Sequence, residues 1–367
     1  MSLSRRHFLA AFGGAIGATG MSLTGCSLLP AKADSLKSRE YVGASKLNNG
    51  GYAVNGLNTD GTACWQTLVE ARCHGGCFRP HNAQVLIFER RPGWWFHVFD
   101  SRTGERLAHV KAASGEHFYG HGVFSHDGRY LYTTASRYQR GDGIIAVYDA
   151  QAGYTRVNTL DLQGIGPHEL RLHPDGQTLA IALGGIKTHP DYDRIKMNLD
   201  SMAPALMLVD RSSGEIRARF SPSHHQLSCR HLDVTPRGQI YAGYQYQGPN
   251  YQAPPLIARY RDGHFKEIEF TGKVQPQLAN YIASVAAHPQ NDLVAVTAPR
   301  GGRALIFEGT SGRLLRNEAI IDGAGVQALN GGDFLVTTGQ GKLIKMGASG
   351  PAQELSTLPL HWDNHLV

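Results

Sequence analysis

The feature that most constrains this chain is a phrase that returns at a fixed interval. It reads Arg72-Cys73-His74-Gly75-Gly76, then Gly120-His121-Gly122-Val123-Phe124-Ser125-His126-Asp127-Gly128. It comes back as Pro167-His168-Glu169-Leu170-Arg171-Leu172-His173-Pro174-Asp175-Gly176 and as Arg230-His231-Leu232-Asp233-Val234-Thr235-Pro236-Arg237-Gly238. A histidine opens each copy, a short and mostly apolar run follows, and a Pro/Asp/Asn/Gly turn ends it. His74 and His121 are 47 residues apart, and so are His121 and His168. A period of roughly 40–50 residues is the span of one four-stranded propeller blade. If the blades close into a ring, equivalent positions face one axis, and the histidines are expected to converge there.

A second phrase supports the count. An apolar alternating run, an acid, a few turn residues and a glycine mark a β-hairpin. Copies lie at Phe96–Asp100 with Gly104, Ala146–Asp149 with Gly153, and Met207–Asp210 with Gly214. Weaker ones lie at Ala258–Tyr260, Leu305–Glu308 and Leu343–Met346, and a seventh lies upstream at Tyr52–Leu57. Seven hairpins predict an all-β, seven-bladed propeller of the WD40/YVTN-like kind. The upstream hairpin has no inner strand before it, and Trp362-Asp363-Asn364-His365-Leu366-Val367 at the other end supplies one. Closing one blade from both termini removes exposed strand edges. His365 becomes the fifth member of the histidine series. The other two repeats read Ala283-Ser284 and Gly323-Ala324-Gly325-Val326 and carry no histidine there.

From His168 to His231 the interval lengthens to 63 residues. The excess runs from Gly184 to Met202 without strand alternation, so it reads as a loop over one face of the ring. Its His189 and Asp191, with Asp193, are secondary candidates as metal ligands.

The phrases Tyr119–Ser125, Gly166–Leu170, Thr188–Asp191, Arg230–Leu232 and Trp362–His365 resemble those of the bacterial domain-of-unknown-function 1513 family. The likeness covers nearly all of the expected mature chain. It implies an exported propeller, encoded near imelysin-type lipoproteins and di-haem oxidoreductases in iron-acquisition clusters. Those proteins are the partners it suggests, and metal homeostasis the setting.

The N-terminus carries an address. Ser4-Arg5-Arg6-His7-Phe8-Leu9 resembles a twin-arginine export signal, and the apolar stretch behind it is too short for a permanent span. Leu23-Thr24-Gly25-Cys26 looks like a lipoprotein cleavage box, with Cys26 as the lipidated residue. The expected layout is a signal peptide over 1–25, a tether over 26–40 and a propeller over 41–367, held at the periplasmic face of a membrane through the lipid. The formal charge of +6 shows no basic block interleaved with aromatics, so nucleic acid is not an expected partner. Cys64, Cys73, Cys77 and Cys229 remain, an even number that permits disulfides outside the cytoplasm, with Cys73 and Cys77 close enough to pair; free buried thiols are the alternative.

Imidazole is the commonest metal ligand and suits copper, iron, zinc and nickel. His74, His121, His168, His231 and His365 are therefore the expected metal ligands, for copper or iron first and zinc third. The competing account of each histidine is a strand cap bonded to backbone. His126, His173 and His288 sit in turns and are not expected to ligate. Arg230 and Arg300 are candidates to meet an anionic substrate, or else to form structural ion pairs. No nucleophile elbow, phosphate loop or zincin motif is present. Three functions stay open: a metal protein serving iron or copper acquisition or redox, a metal-dependent lactonase-like hydrolase, and a scaffold for a partner lipoprotein. Metal binding is expected to weaken as pH falls through about 6.5.

Overall fold

A computed structural model describes residues 41–192 and 195–367. The signal, the tether and Cys26 lie outside the described residues, as does Asp193. The described chain folds into seven four-stranded antiparallel sheets. Blade 1 is built from Tyr41–Leu47, Tyr52–Leu57 and Ala63–Val69, with Leu360–Leu366 from the far end of the chain as its inner strand. Blades 2 to 7 follow in order, each running from inner strand to outer. The circle closes through Tyr41–Leu47 and Leu360–Leu366, which pair antiparallel. Seven blades and C-terminal closure are thus as the repeat predicts.

The sequence of each strand follows its place in the blade. Second and third strands are packed on both faces by neighbouring blades, so they are almost wholly apolar: Gln84–Glu89 reads QVLIFE and Ala205–Asp210 reads ALMLVD. Outer strands have one wet face and alternate, as in Arg106–Lys111 and Ile216–Phe220. The core therefore lies between the blades. One interface alone gathers Leu227, Tyr244, Ile257, Ile282, Val296 and Phe307. The closing strand adds buried Leu360, Trp362 and Leu366, each leucine worth about 1.5–3 kcal/mol of apolar burial.

The inner strands are less regular, and the irregularity positions the site. Six of the seven break register with the second strand. The breaks fall between Cys73 and Gly76, Phe118 and Gly122, Pro167 and Glu169, Cys229 and His231, and Gly323 and Val326. The sixth lies opposite Gly43 and Ser45, between Trp362 and Leu366. Blade 6 pairs Ser284–Ala287 without a break. A bulge leaves a residue out of the ladder and re-aims its side chain. Five of these six irregularities contain or adjoin one of the five histidines.

The excess segment 184–202 connects the second and third strands of blade 4. The same connection carries Arg90 and Arg91 in blade 2 and Arg300 in blade 6. All of them emerge on one face. His126, His173 and His288 lie in the turns between first and second strands, on the opposite face.

Candidate metal centre

The five predicted histidines meet. Ring centroids of His74 lie 4.5 Å from His365 and 5.0 Å from His121. His168 and His231 are 4.7 Å apart, and so are His231 and His365. All five are buried, at 7 % exposure or less. Glycines make the room. A Cβ on Gly75 would stand 2.6 Å from His121 Nδ1, and one on Gly120 would stand 2.9 Å from His74 Cδ2. Gly120 also has φ of +105°, which L side chains rarely adopt.

Two carboxylates that the repeat did not single out organise the rings. Asp363 Oδ1 accepts from His74 Nδ1 at 2.6 Å, and its other oxygen accepts from Arg72 at 2.5 Å. Glu169 Oε2 accepts from His231 Nδ1 at 3.1 Å, while Oε1 lies 2.6 Å from Arg171 and 3.8 Å from His121 Nδ1. A carboxylate on Nδ1 fixes the tautomer that leaves a lone pair on Nε2, the arrangement found behind metal-bound histidines. Burial opposes charge on both acids. For Asp363 the facing His74, Arg90 and Arg72, and for Glu169 the facing Arg171, His121 and His231, outweigh it and hold the carboxyl below its usual range.

The remaining rings have buried nitrogens without partners. His121 Nε2, His168 Nδ1 and His365 Nε2 are buried with no hydrogen-bond partner. Leaving such groups unsatisfied costs about 1–3 kcal/mol each, and those of His121 and His365, which line one small cavity with Glu169, fit a bound ion. None of the five rings makes a hydrogen bond to backbone among those of the described residues, so strand capping does not account for them. Three sets have donor atoms all within 4.8 Å of one another: His74 with His121 and His365, His121 with His168 and His231, and Glu169 with His231 and His365. Donors on opposite sides of an ion at 2.0–2.1 Å lie about 4.2 Å apart, so small side-chain rotations would close each set. His168 differs from the rest, because its Nε2 takes a hydrogen bond from Arg230 Nη2 at 2.8 Å, which leaves the neutral ring's proton on Nδ1.

Burial lowers the basicity of every ring. His231 is brought down to about 4 despite the Glu169 hydrogen bond, and His121, His168 and His365 fall well below the usual imidazole value. His74 is lowered too, burial outweighing Asp363. The expected loss of binding near pH 6.5 is corrected accordingly. Neutral, unprotonated rings persist well into acid, because a buried imidazolium lacks solvation.

The chain's relatives place it once this geometry is known. A family model described as "Protein of unknown function (DUF1513)" matches residues 67–367. The chain belongs to this family. No curated protein matches it. Among solved structures, a chain of Kuenenia stuttgartiensis hydrazine synthase superposes with a TM-score of 0.61 at 15 % identity, over 78 % of this chain and 86 % of that one. That likeness shows the propeller fold.

In this DUF1513 protein the other candidates fall in different places. His189 lies in the blade-4 connection against Tyr138 and Tyr192, its Nδ1 3.6 Å from an exposed Asp191 carboxylate. Neither belongs to the three donor sets. His288 caps its own turn, with Nδ1 accepting from the backbone N–H groups of Gln290 and Asn291. His126 is exposed, and His173 accepts from the Asp175 N–H. Arg230 and Arg300 both line one cavity of about 310 Å³ whose floor includes His74, His168 and His231. All four described cysteines are free, so Cys73 and Cys77 do not pair. Burial pushes the Cys77 thiol up to about 12 and raises those of Cys73 and Cys229 as well. Protonated thiols are poor nucleophiles.

Proposed function

We propose that this protein binds a transition-metal ion among its axial histidines and serves metal handling or redox outside the cytoplasm. The observation that carries the reading is the pair of partnerless, buried ring nitrogens of His121 and His365 beside two histidines already oriented by carboxylates. An all-protein cluster of this kind is costly unless something accepts its lone pairs. Neutral imidazoles with one carboxylate suit copper, iron and zinc. Copper and iron come first, for the setting that the family resemblance implies. Glu169 and Asp363 hold the rings, Arg171 and Arg72 balance the acids, and the ion would supply Lewis acidity or electron transfer. Nearly all donor groups point inward from rigid strands, which suits a resident ion.

The address belongs to the same reading. The Ser4–Leu9 and Leu23–Cys26 phrases support export by the twin-arginine route and a lipid on Cys26, and the family resemblance supports imelysin-like or di-haem partners. Cys26→Ala should move the protein from the membrane fraction to the soluble periplasm. A parent already soluble there contradicts the anchor. Metal analysis of the natural protein tests the centre: about one or more equivalents of copper, iron or zinc per chain is expected, and traces only would overturn it.

A further inference from the structure

The cavity above the histidines holds an excess of one charge. Arg90, Arg91, Lys196, Arg230 and Arg300 line it, and no carboxylate does. Arg90 lies 3.6 Å from Asp363. Among the described residues the other four form no ion pair. Arg91 lies over the Tyr119 ring and Arg300 over the Tyr281 ring, at 5.7 and 5.0 Å. Arg230 gives one nitrogen to His168, while its Nε is buried without a partner.

Arginines elsewhere on the ring behave otherwise. Arg129 pairs with Asp149 at 3.1 Å, Arg156 with Glu116 at 2.6 Å and Arg106 with Glu70 at 2.7 Å. Guanidinium forks match the paired oxygens of carboxylates and phosphates. Converging cations in a partly enclosed cavity repel one another and focus a positive potential that draws anions. The neighbouring Tyr119, Tyr281, Gln245 and Asn364 add neutral hydrogen-bonding groups. A volume of about 310 Å³ stands at the small end of ligand pockets, so the occupant is a small molecule of several charges.

We propose that this cavity binds a multiply charged oxyanion, a small polycarboxylate or an inorganic phosphate-like ion, directly over the histidine floor. The site itself stands without a metal. The anion's further role, as an exogenous ligand or chelator that brings or caps the ion, rests on the metal reading. The loops after the second strands of blades 2, 4 and 6 supply four of the five cations, Lys196 coming from the long segment, and Arg230 stands on the inner strand of blade 5.

Isothermal titration of the metal-free full chain with citrate, phosphate and chloride tests this. Citrate or phosphate should bind, chloride should not compete at equal concentration, and affinity should fall at least tenfold in Arg300→Gln. Arg300 is exposed, so that variant keeps its fold. Arg230→Gln should lose more. Arg261→Gln, at a different cavity, should bind like the parent. Tighter binding of citrate assigns a polycarboxylate, and tighter binding of phosphate an inorganic oxyanion. No binding of either, or affinity unchanged in Arg300→Gln, overturns the site. Because the chain is metal-free throughout, failure here leaves the metal reading standing, and a natural protein without metal leaves the anion site standing.

Discussion

Blades 1 to 5 and blades 6 and 7 present two different surfaces to the axis. The first five each bend an inner strand out of register and place an imidazole there. Blade 7 bends too, but offers Ala324 and Gly325, and blade 6 stays regular and offers Ser284. The small residues are not neutral filler. A Cβ on Gly325 would stand 2.6 Å from the Leu366 backbone nitrogen, so blade 7 yields space to the closing strand and to His365. Ser284 Oγ accepts from the Val326 N–H at 3.3 Å, tying the two blades together. One arc of the ring supplies donors and the other supplies room. Five large rings on seven positions fit only because two positions are small.

The largest test of this division removes the closing strand. Deleting Trp362–Val367 takes away a histidine, Asp363 and a packed inner strand, and exposes the edge of Tyr41–Leu47. The variant should aggregate or fail to melt cooperatively in calorimetry. Melting within a degree or two of the parent would break the account of closure. Next, Asp363→Asn should loosen the orientation of His74 and lower metal affinity about 10–100-fold, as loss of a metal ligand's hydrogen-bond partner does. An unchanged affinity by competition titration would make Asp363 a charge partner for arginine alone.

A smaller effect sharpens the steric half of the comparison. Gly120→Ala places a methyl against His74 at a backbone angle that disfavours it, costing about 1–3 kcal/mol in denaturant melts. Gly153→Ala, where a Cβ meets nothing within 4 Å, should cost less, though its φ of +65° still disfavours alanine. Acid gives the electrostatic half. The unfolded histidines titrate near 6.5, whereas in the folded chain His231 does so only near 4. Between those values the unfolded state binds more protons, so stability of the metal-free protein falls as pH drops from about 6.5 to about 4. The slope is up to about 1.4 kcal/mol per pH unit for each such histidine. Thermal melts over that range check it, and a flat profile would contradict the burial of the rings. The smallest effect is His126→Ala, an exposed turn residue of a donor-bearing blade, which should change neither melting nor metal content.

The propeller and its five axial histidines were legible because both are periodic, and periodicity survives in sequence whatever the packing. The partners of those rings were not. Glu169 and Asp363 stood inside the recurring phrases, yet neither recurs at its position in other blades, so spacing offered no reason to single them out. Bulges leave no fixed signature, and whether Glu169 faced the axis depended on the break between Pro167 and Glu169. The cationic cavity did have a readable signal. Arg90-Arg91 and Pro299-Arg300 follow the second strands of their blades, the same connection that carries the long segment of blade 4. Aligning the connections of the repeats, as well as their strands, brings these arginines together on one face.

The central claim, that the histidine-bearing arc holds an ion and the small-residue arc makes room for it, is tested most directly by anomalous diffraction from crystals of the metal-loaded protein. The account predicts an anomalous peak on the axis, within bonding distance of at least three donors among His74, His121, His168, His231, His365 and Glu169. A peak elsewhere, as at His189 and Asp191, or no peak on the axis at saturating copper, iron or zinc, would contradict it.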